Sequence, residues 1–183
     1  MSGLIILING GSSAGKSSLV RELQNLLPEL WLGLGIDTFI GALPARLTGE
    51  GTGIQFEDDG RVDVGTSFTE LENLWMLGIA AMGRAGGRVI VDDAFLGGPP
   101  SQRRWREALE GVDVGWVGVH CDPEIAEERA RARGDRPAGM ARRQALTVHR
   151  GIAYDVEVDT GVLTTAEAAA VIADTLSQIH RPG

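Results

Sequence analysis

Short apolar runs alternate along this chain with stretches in which apolar residues recur every three or four positions. The runs that predict strands are residues 3–9, 31–36, 88–92, 114–120 and 154–159. After the first run, apolar side chains follow the spacing of one helix face at Leu19, Val20, Leu23, Leu26 and Leu27. Strands that alternate with helices build a parallel sheet covered by helices. The pattern therefore predicts an α/β fold with five parallel strands, in one domain over residues 1–183.

Two of the predicted helices carry side chains whose placement matters for the site. In the first, helical spacing predicts a core face made of Leu71, Leu74, Trp75 and Met82. The second, from Ser101 to Leu109, should turn Trp105 and Leu109 inward and its arginines toward solvent.

Residues 41–65 lack any periodicity and contain several glycines and acidic residues. Within them, Ile54–Phe56 and Val62–Val64 flank an Asp59–Gly60 turn, which predicts a small hairpin. A segment of this length is typical of a binding loop, although a solvated insertion fits nearly as well. We assign it as an insertion that binds the second substrate.

A glycine-rich turn follows the first apolar run. Gly10, Gly15, Lys16 and Ser17 match the P-loop pattern G-x-x-x-x-G-K-[ST], between the strand and the helix that this motif requires. Backbone N–H groups in such a loop point at phosphate oxygens, and the following helix adds its positive end. Lys16 is the only lysine among 17 lysines and arginines, so a compact ammonium occurs where a tight phosphate site needs one.

This loop predicts a site for a phosphate-bearing ligand and for Mg²⁺. The candidate ligand-binding residues are Gly10, Gly11, Ser12, Ser13, Ala14, Gly15, Lys16, Ser17 and Ser18. Lys16 would reach the outer phosphates, and the Ser17 hydroxyl would bind the metal. Asp92 and Asp93 end an apolar strand, which is the usual form of the second metal-binding segment. The predicted metal ligands are Ser17 and Asp92, with Asp93 as the alternative.

Asp37 directly follows the second predicted strand. Ligands of open parallel sheets bind at the carboxyl ends of the strands, where the phosphate loop must also lie. Asp37 is therefore a candidate catalytic carboxylate. The alternative is that its side chain caps the helix that follows.

The formal net charge is −8 and the pI about 4.9, which argues against a nucleic-acid or anionic-membrane partner. No apolar run approaches membrane-spanning length, and the N-terminus lacks the features of a signal peptide. We expect a cytoplasmic protein, and a homo-oligomer remains open.

Arginines are concentrated between Arg129 and Arg150. Arg129 and Arg133 lie one helical turn apart, and Arg136 follows a glycine stop. Converging guanidinium groups stabilise the charge that develops on a phosphoryl group in transfer, so we assign residues 129–140 as a lid. The alternative is that these arginines pair along the helix with acidic residues between Glu124 and Glu128.

The motifs together resemble the chloramphenicol phosphotransferases, within the wider P-loop kinases related to shikimate and adenylate kinases. The resemblance covers nearly the whole chain. The matching stretches are residues 9–17, 35–37, 90–98, 116–119, 133–136 and 154–160.

This resemblance implies a three-layer α/β/α, P-loop kinase-like fold with strand order 2-3-1-4-5. It also implies ATP and Mg²⁺ as cofactors and phosphorylation of the primary hydroxyl of chloramphenicol, a small-molecule acceptor. Asp37 would act as the base, with Lys16, Arg133 and Arg136 as further catalytic residues. Arg129 and Thr160 would help to bind the nucleotide, because the loop 159–161 lies near the base in such kinases.

Two other classes of function remain in view. The first is a small-metabolite kinase of the shikimate or gluconate type. The second is a non-catalytic nucleotide-binding module, which would need neither Asp37 nor converging arginines. A GTPase is disfavoured, because its guanine-reading motif contains a lysine and the only lysine is already in the P-loop.

Overall fold

The computed structural model describes residues 3–48, 53–57, 60–134 and 137–179. The strands are β1 (Leu4–Gly10), β2 (Leu32–Gly35), β3 (Ile54–Phe56), β4 (Val62–Val64), β5 (Val89–Asp93), β6 (Asp113–His120) and β7 (Val156–Asp159). The helices are α1 (Lys16–Leu26), α2 (Ile36–Ala42), α3 (Thr66–Arg84), α4 (Pro99–Ala108), α5 (Pro123–Arg133), α6 (Met140–Thr147) and α7 (Thr165–Ile179). A short 3₁₀ helix spans Ala45–Leu47.

Five of the strands form one sheet in the order β2-β5-β1-β6-β7, and all of their pairings are parallel. Counted without the two hairpin strands, this is the predicted order 2-3-1-4-5, and the α/β fold is confirmed. The sheet places β1 at its centre, so the loop that follows β1 lies between the carboxyl ends of β5 and β6.

Helices cover both faces of the sheet, because the central strand is apolar on both. Ile6 and Ile8 of β1 pack into a core with buried residues of α1, α5 and α7. Ile5 and Leu7, which alternate with them, pack on the opposite face against buried residues of α3 and α4. A strand buried on both faces is typical of parallel sheets and explains the continuous apolar run.

The predicted hairpin is present: β3 and β4 pair antiparallel, with Ile54 opposite Val64. Ile54 joins Phe39 and Phe68 in a small core of its own. Gly60 has a φ of 79°, and a Cβ there would lie 2.5 Å from the Met140 backbone nitrogen. Glycine therefore allows the turn of the hairpin to pack against the start of α6. Asp59 lies outside the described residues.

The predicted core face of α3 is wrong at two of its four residues. Leu74 is 64% exposed and Met82 is 38% exposed, whereas Leu71 and Trp75 are partly buried. The buried residues of the helix are Phe68, Glu72, Met76, Ile79, Ala80 and Gly83. Because α3 carries apolar residues around most of its circumference, its periodicity alone does not select the face that packs on the sheet.

None of the helices in the described part of the chain is long and apolar enough to cross a membrane.

Candidate active site

The glycine-rich loop joins the end of β1 to the start of α1. Gly15 has a φ of 85° and Ser13 a φ of 62°, so the chain turns through left-handed backbone before the helix. Lys16 donates hydrogen bonds from Nζ to the carbonyl oxygens of Gly10, at 2.8 Å, and Gly11, at 2.9 Å. Its ammonium is thereby held over the loop, next to the backbone N–H groups of the α1 N-terminus. The loop has the geometry of a phosphate-binding nest.

Side chains from distant segments hold this loop in place. The backbone N–H of Ser12 donates to Gln144 Oε1 at 2.7 Å, and Arg133 Nη2 donates to Ser13 Oγ at 2.8 Å. Thr160 Oγ1 donates to the carbonyl oxygen of Ala14 at 2.8 Å. Helices α5 and α6 and the loop after β7 therefore all contact the phosphate loop.

Arg129 is positioned by the loop after β7. Its Nη2 donates to the carbonyl oxygen of Thr160 at 2.8 Å, and its Nη1 lies 3.3 Å from Thr160 Oγ1. The predicted nucleotide-binding residues Arg129 and Thr160 thus contact each other beside the P-loop. Arg133 reaches the loop directly, whereas Arg136 lies outside the described residues.

Two acidic residues of α5 contact α6 rather than the arginines of their own helix, unlike the alternative raised from the sequence. Among the described residues, Glu124 pairs with Arg142 of α6, and Glu127 accepts hydrogen bonds from the backbone N–H groups of Gly139 and Arg142. The acidic residues of α5 therefore hold α6, and the guanidinium groups of Arg129 and Arg133 point toward the loop.

Of the two carboxylates at the end of β5, Asp92 faces the loop. Ser17 Oγ donates to Asp92 Oδ2 at 3.0 Å. Gly35 lies opposite Asp92 in the sheet, and a Cβ on Gly35 would lie only 2.1 Å from Asp92 Oδ1. The absence of a side chain at Gly35 is therefore what gives the Asp92 carboxylate its space.

Asp93 has a different environment. It is buried, accepts a hydrogen bond from Trp105 Nε1 at 2.6 Å, and accepts another from the backbone N–H of Ala94 at 2.6 Å. Burial raises the pKa of Asp93. Its role is to anchor α4 to the end of β5.

A hydroxyl and a carboxylate oxygen are the hard donors that Mg²⁺ prefers, so Ser17 and Asp92 fit this ion. The described residues contain no cluster of three or more His, Cys, Asp or Glu side chains that could hold a metal. In nucleotide sites Mg²⁺ is usually bound by one or two protein ligands together with substrate phosphates and water.

Asp37 lies in the first turn of α2, two residues after Gly35, which occupies the N-cap position. Its carboxylate is exposed and lines the same cavity as Lys16, Ser17 and Asp92. Asp37 therefore does not occupy the N-cap position of α2, and the capping alternative is wrong. The structure brings Asp37 to the phosphate loop, at the carboxyl end of β2.

The cavity has a volume of about 360 Å³ and two unlike halves. One half is formed by the phosphate loop. The other half is mostly apolar and is lined by Ile36, Ile40, Ile54, Phe56, Val62, Val64, Phe68 and Leu96. Both strands of the hairpin contribute, so the segment assigned from sequence as an insertion forms a wall of the cavity.

Two charged residues that sequence reasoning missed also line this cavity. Arg104 Nη2 lies 2.5 Å from Glu72 Oε2, so the expectation that the α4 arginines all face solvent is wrong. Burial and the nearby Asp93 raise the pKa of Glu72 to about 7, against the opposing effect of Arg104. The available signal was Glu72 itself, a charged residue one turn from Phe68 and Met76 on the buried face of α3.

Comparison with known proteins identifies the family and the fold of this chain. The model of the chloramphenicol phosphotransferase-like protein family matches residues 3–177. Two strains of Mycobacterium tuberculosis, CDC 1551 / Oshkosh and H37Rv, have relatives that bear the provisional name of O-phosphotransferase. Each is 34% identical over 187 residues, which cover 91% of this chain and 79% of the relative.

Solved structures, P-loop kinases among them, share the fold. The APS kinase CysC of Mycobacterium tuberculosis, in complex with AMPPNP and APS, aligns with a TM-score of 0.68 and 16% identity, over 96% of this chain and 98% of that one. A tunicamycin resistance protein of Deinococcus radiodurans has a TM-score of 0.69 and 21% identity, covering 95% of both chains.

Shikimate kinase of Acinetobacter baumannii, in complex with shikimate, has a TM-score of 0.60 and 16% identity, covering 100% of this chain and 96% of that one. At these identities the neighbours show the fold, and the family match carries the chemistry. The chain belongs to the chloramphenicol phosphotransferase-like family and is a P-loop phosphotransferase that acts on a hydroxyl group.

Proposed function

We propose that this enzyme transfers the γ-phosphoryl group of ATP to a hydroxyl of a small molecule with an apolar body, and that chloramphenicol is its acceptor. The observation that carries the proposal is the apolar half of the cavity, which adjoins the phosphate loop and Asp37. Binding of an aromatic, weakly polar molecule is favourable when such walls remove its apolar surface from water.

The phosphate loop would bind the β- and γ-phosphates of ATP, with the Lys16 ammonium on their oxygens. Ser17 and Asp92 would hold Mg²⁺, which neutralises charge on the phosphates when bound. Arg129 and Thr160 would lie on the nucleotide side of the loop.

Asp37 would accept a hydrogen bond from the acceptor hydroxyl and orient its oxygen toward the γ-phosphorus. In a loose transition state the proton can remain on the nucleophile until late, so orientation contributes alongside basicity. Arg133, together with Arg136, would stabilise the charge on the equatorial oxygens. Arg133→Ala should therefore lower turnover more than ATP binding.

The lining also bears on the alternatives. Shikimate and gluconate are hydroxylated acids and would bury many polar groups against the hairpin and α2, where isoleucine, valine and phenylalanine side chains offer no hydrogen bonds. A non-catalytic module has no need of Asp37 at a cavity mouth. Location in the cytoplasm and a homo-oligomeric state remain predictions.

The test is a panel of acceptors supplied with ATP and Mg²⁺, with phosphorylated product measured by mass spectrometry. We expect product with chloramphenicol and none above background with shikimate or gluconate. A parallel assay with GTP in place of ATP tests which nucleotide serves as the phosphoryl donor. Product from the hydroxylated acids but not from chloramphenicol would replace this proposal with the metabolite-kinase alternative.

A further inference from the structure

The apolar half of the cavity contains one charged pair. Glu72 of α3 and Arg104 of α4 both line the cavity, and their side chains meet at 2.5 Å between Oε2 and Nη2. Glu72 is only 8% exposed. A buried ion pair seldom adds stability over apolar side chains of the same volume, so its presence in an apolar wall calls for another explanation.

Both members of the pair retain polar atoms that face the cavity. Among the residues that the structure describes, the one fully buried side-chain polar atom without a hydrogen-bond partner is Trp31 Nε1. The oxygen of Glu72 that does not contact Arg104, and the remaining guanidinium N–H groups of Arg104, therefore keep accessible surface. Both residues line this cavity, so that surface is available to a molecule that binds there.

The pair presents a hydrogen-bond acceptor and a set of donors side by side, with little net charge. An anionic ligand group that approached Arg104 would also approach the carboxyl of Glu72, which repels it whenever Glu72 is ionised. A cationic group would compete with Arg104 for Glu72. A neutral group with one donor and one acceptor can satisfy both residues at once.

We infer that Glu72 and Arg104 recognise a second, neutral polar group of the acceptor, of the carboxamide or hydroxyl class, while the reacting hydroxyl lies at Asp37. This inference rests on the proposed function and adds a substrate class to it. The acceptor is then an apolar molecule with two separate polar anchors. The pair determines specificity and takes no part in the transfer itself.

The test compares chloramphenicol, which carries a carboxamide, with its deacylated amine, which lacks the amide carbonyl and bears a positive charge. The variants are Glu72→Met, Arg104→Met and the double variant, with Glu70→Gln and Arg103→Met as controls on exposed positions of the same helices. Calorimetry with AMPPNP present gives the affinity for each ligand. Initial rates give kcat and KM.

We expect wild-type protein to bind chloramphenicol about 10- to 100-fold more tightly than the amine. A hydrogen bond to a charged group contributes a binding free energy of about that size. Either single variant should lose most of that preference through KM. Their kcat values and AMPPNP affinities should stay within about twofold of wild type. Because one ligand group contacts both residues, the double variant should lose little more than the worse single variant.

A purely structural pair would give a different result. The variants would then melt at lower temperature but discriminate between the two ligands as wild type does, which would overturn the inference. If a single variant fails to fold, the double variant carries the test, because replacing both members of a buried pair with apolar side chains is commonly tolerated.

Failure of the proposed function would look different again. Wild-type protein would bind AMPPNP but would neither bind nor phosphorylate any neutral alcohol. The inference would fall with it in that case.

Discussion

The two halves of the cavity are built in different ways. The phosphate half is built on one contiguous loop, which is held by hydrogen bonds with Gln144, Arg133 and Thr160, and Asp92 adds a carboxylate beside it. The apolar half, which we propose binds the acceptor and call the acceptor half below, is assembled from α2, the hairpin, α3 and α4, and apolar contacts shape most of it. Phosphates require the same geometry in every reaction, whereas an acceptor wall can change side chain by side chain. The contrast implies that mutations in the first half affect turnover and mutations in the second affect selectivity.

The strongest test of this contrast is Lys16→Ala. One positioned cation at the transferring phosphoryl group is worth about 10³–10⁵-fold in rate, so turnover should fall by that range. The side chain lies over the loop rather than in the core, so the thermal midpoint should hardly change. Turnover near the parent value in a normally folded variant would show that the loop does not bind the reacting phosphates.

Asp37→Asn tests the residue at which the two halves meet. An amide keeps the shape but cannot accept the proton, and a general base contributes about 10²–10⁴-fold, so turnover should fall by that range. Binding of ATP, measured by calorimetry, should persist. Full activity in the Asp37→Asn variant would mean that Asp37 has only a structural role in the first turn of α2. Asp92 would then become the next candidate for the base.

Gly35→Ala probes the phosphate half without touching a ligand. The new Cβ would lie 2.1 Å from Asp92 Oδ1, so the carboxylate must move away from Ser17. Changes at a neighbour that sets the position of a metal ligand typically cost about 10–100-fold in metal affinity. The Mg²⁺ concentration for half-maximal turnover should rise by about that factor.

Gly41→Ala is the matched control, because a Cβ at this position would meet no atom within 4 Å beyond its chain neighbours and the backbone of its own helix. It should leave the Mg²⁺ requirement unchanged. An equal response of the two variants would remove Asp92 from the metal site.

Phe56→Ala tests the acceptor half. Phe56 lines the cavity and is 40% exposed, so its removal deletes apolar wall with little loss of core. Loss of roughly half of the burial free energy of an aromatic side chain should raise the KM for chloramphenicol by about tenfold. The KM for ATP should not move, and Val162→Ala, at an exposed site outside the cavity lining, should change neither value.

A further expected effect, on folding rather than on activity, is the dependence of stability on pH. Because the folded pKa of Glu72 is raised to about 7, the folded chain holds a proton there that the unfolded chain releases near pH 4.5. Stability should therefore fall as pH rises from about 4.5 to 7, by at most about 3 kcal/mol from this group. Glu72→Gln should flatten the curve over that window in urea melts, and an identical slope in both proteins would contradict the raised pKa.

The fold and the phosphate half were predictable because their signals are local. A P-loop requires glycines, a lysine and a serine at fixed spacing, and a two-faced buried strand requires a continuous apolar run. The hairpin was visible for the same reason, since its two short strands flank a turn. The placements of Leu74, Met82 and Arg104 were wrong, because each depends on how a helix is rotated on the sheet.

The order of residues along the chain was thus enough to establish the phosphate loop, the family and the carboxylates at the strand ends. Which of Asp92 and Asp93 faces the loop depends on Gly35 of a neighbouring strand and on Trp105 of α4, both distant in sequence. The Glu72–Arg104 pair likewise exists only because α3 and α4 pack on the same face of the sheet. Contacts within one segment are encoded locally, whereas contacts between segments are decided by packing, and the acceptor half consists almost entirely of the second kind.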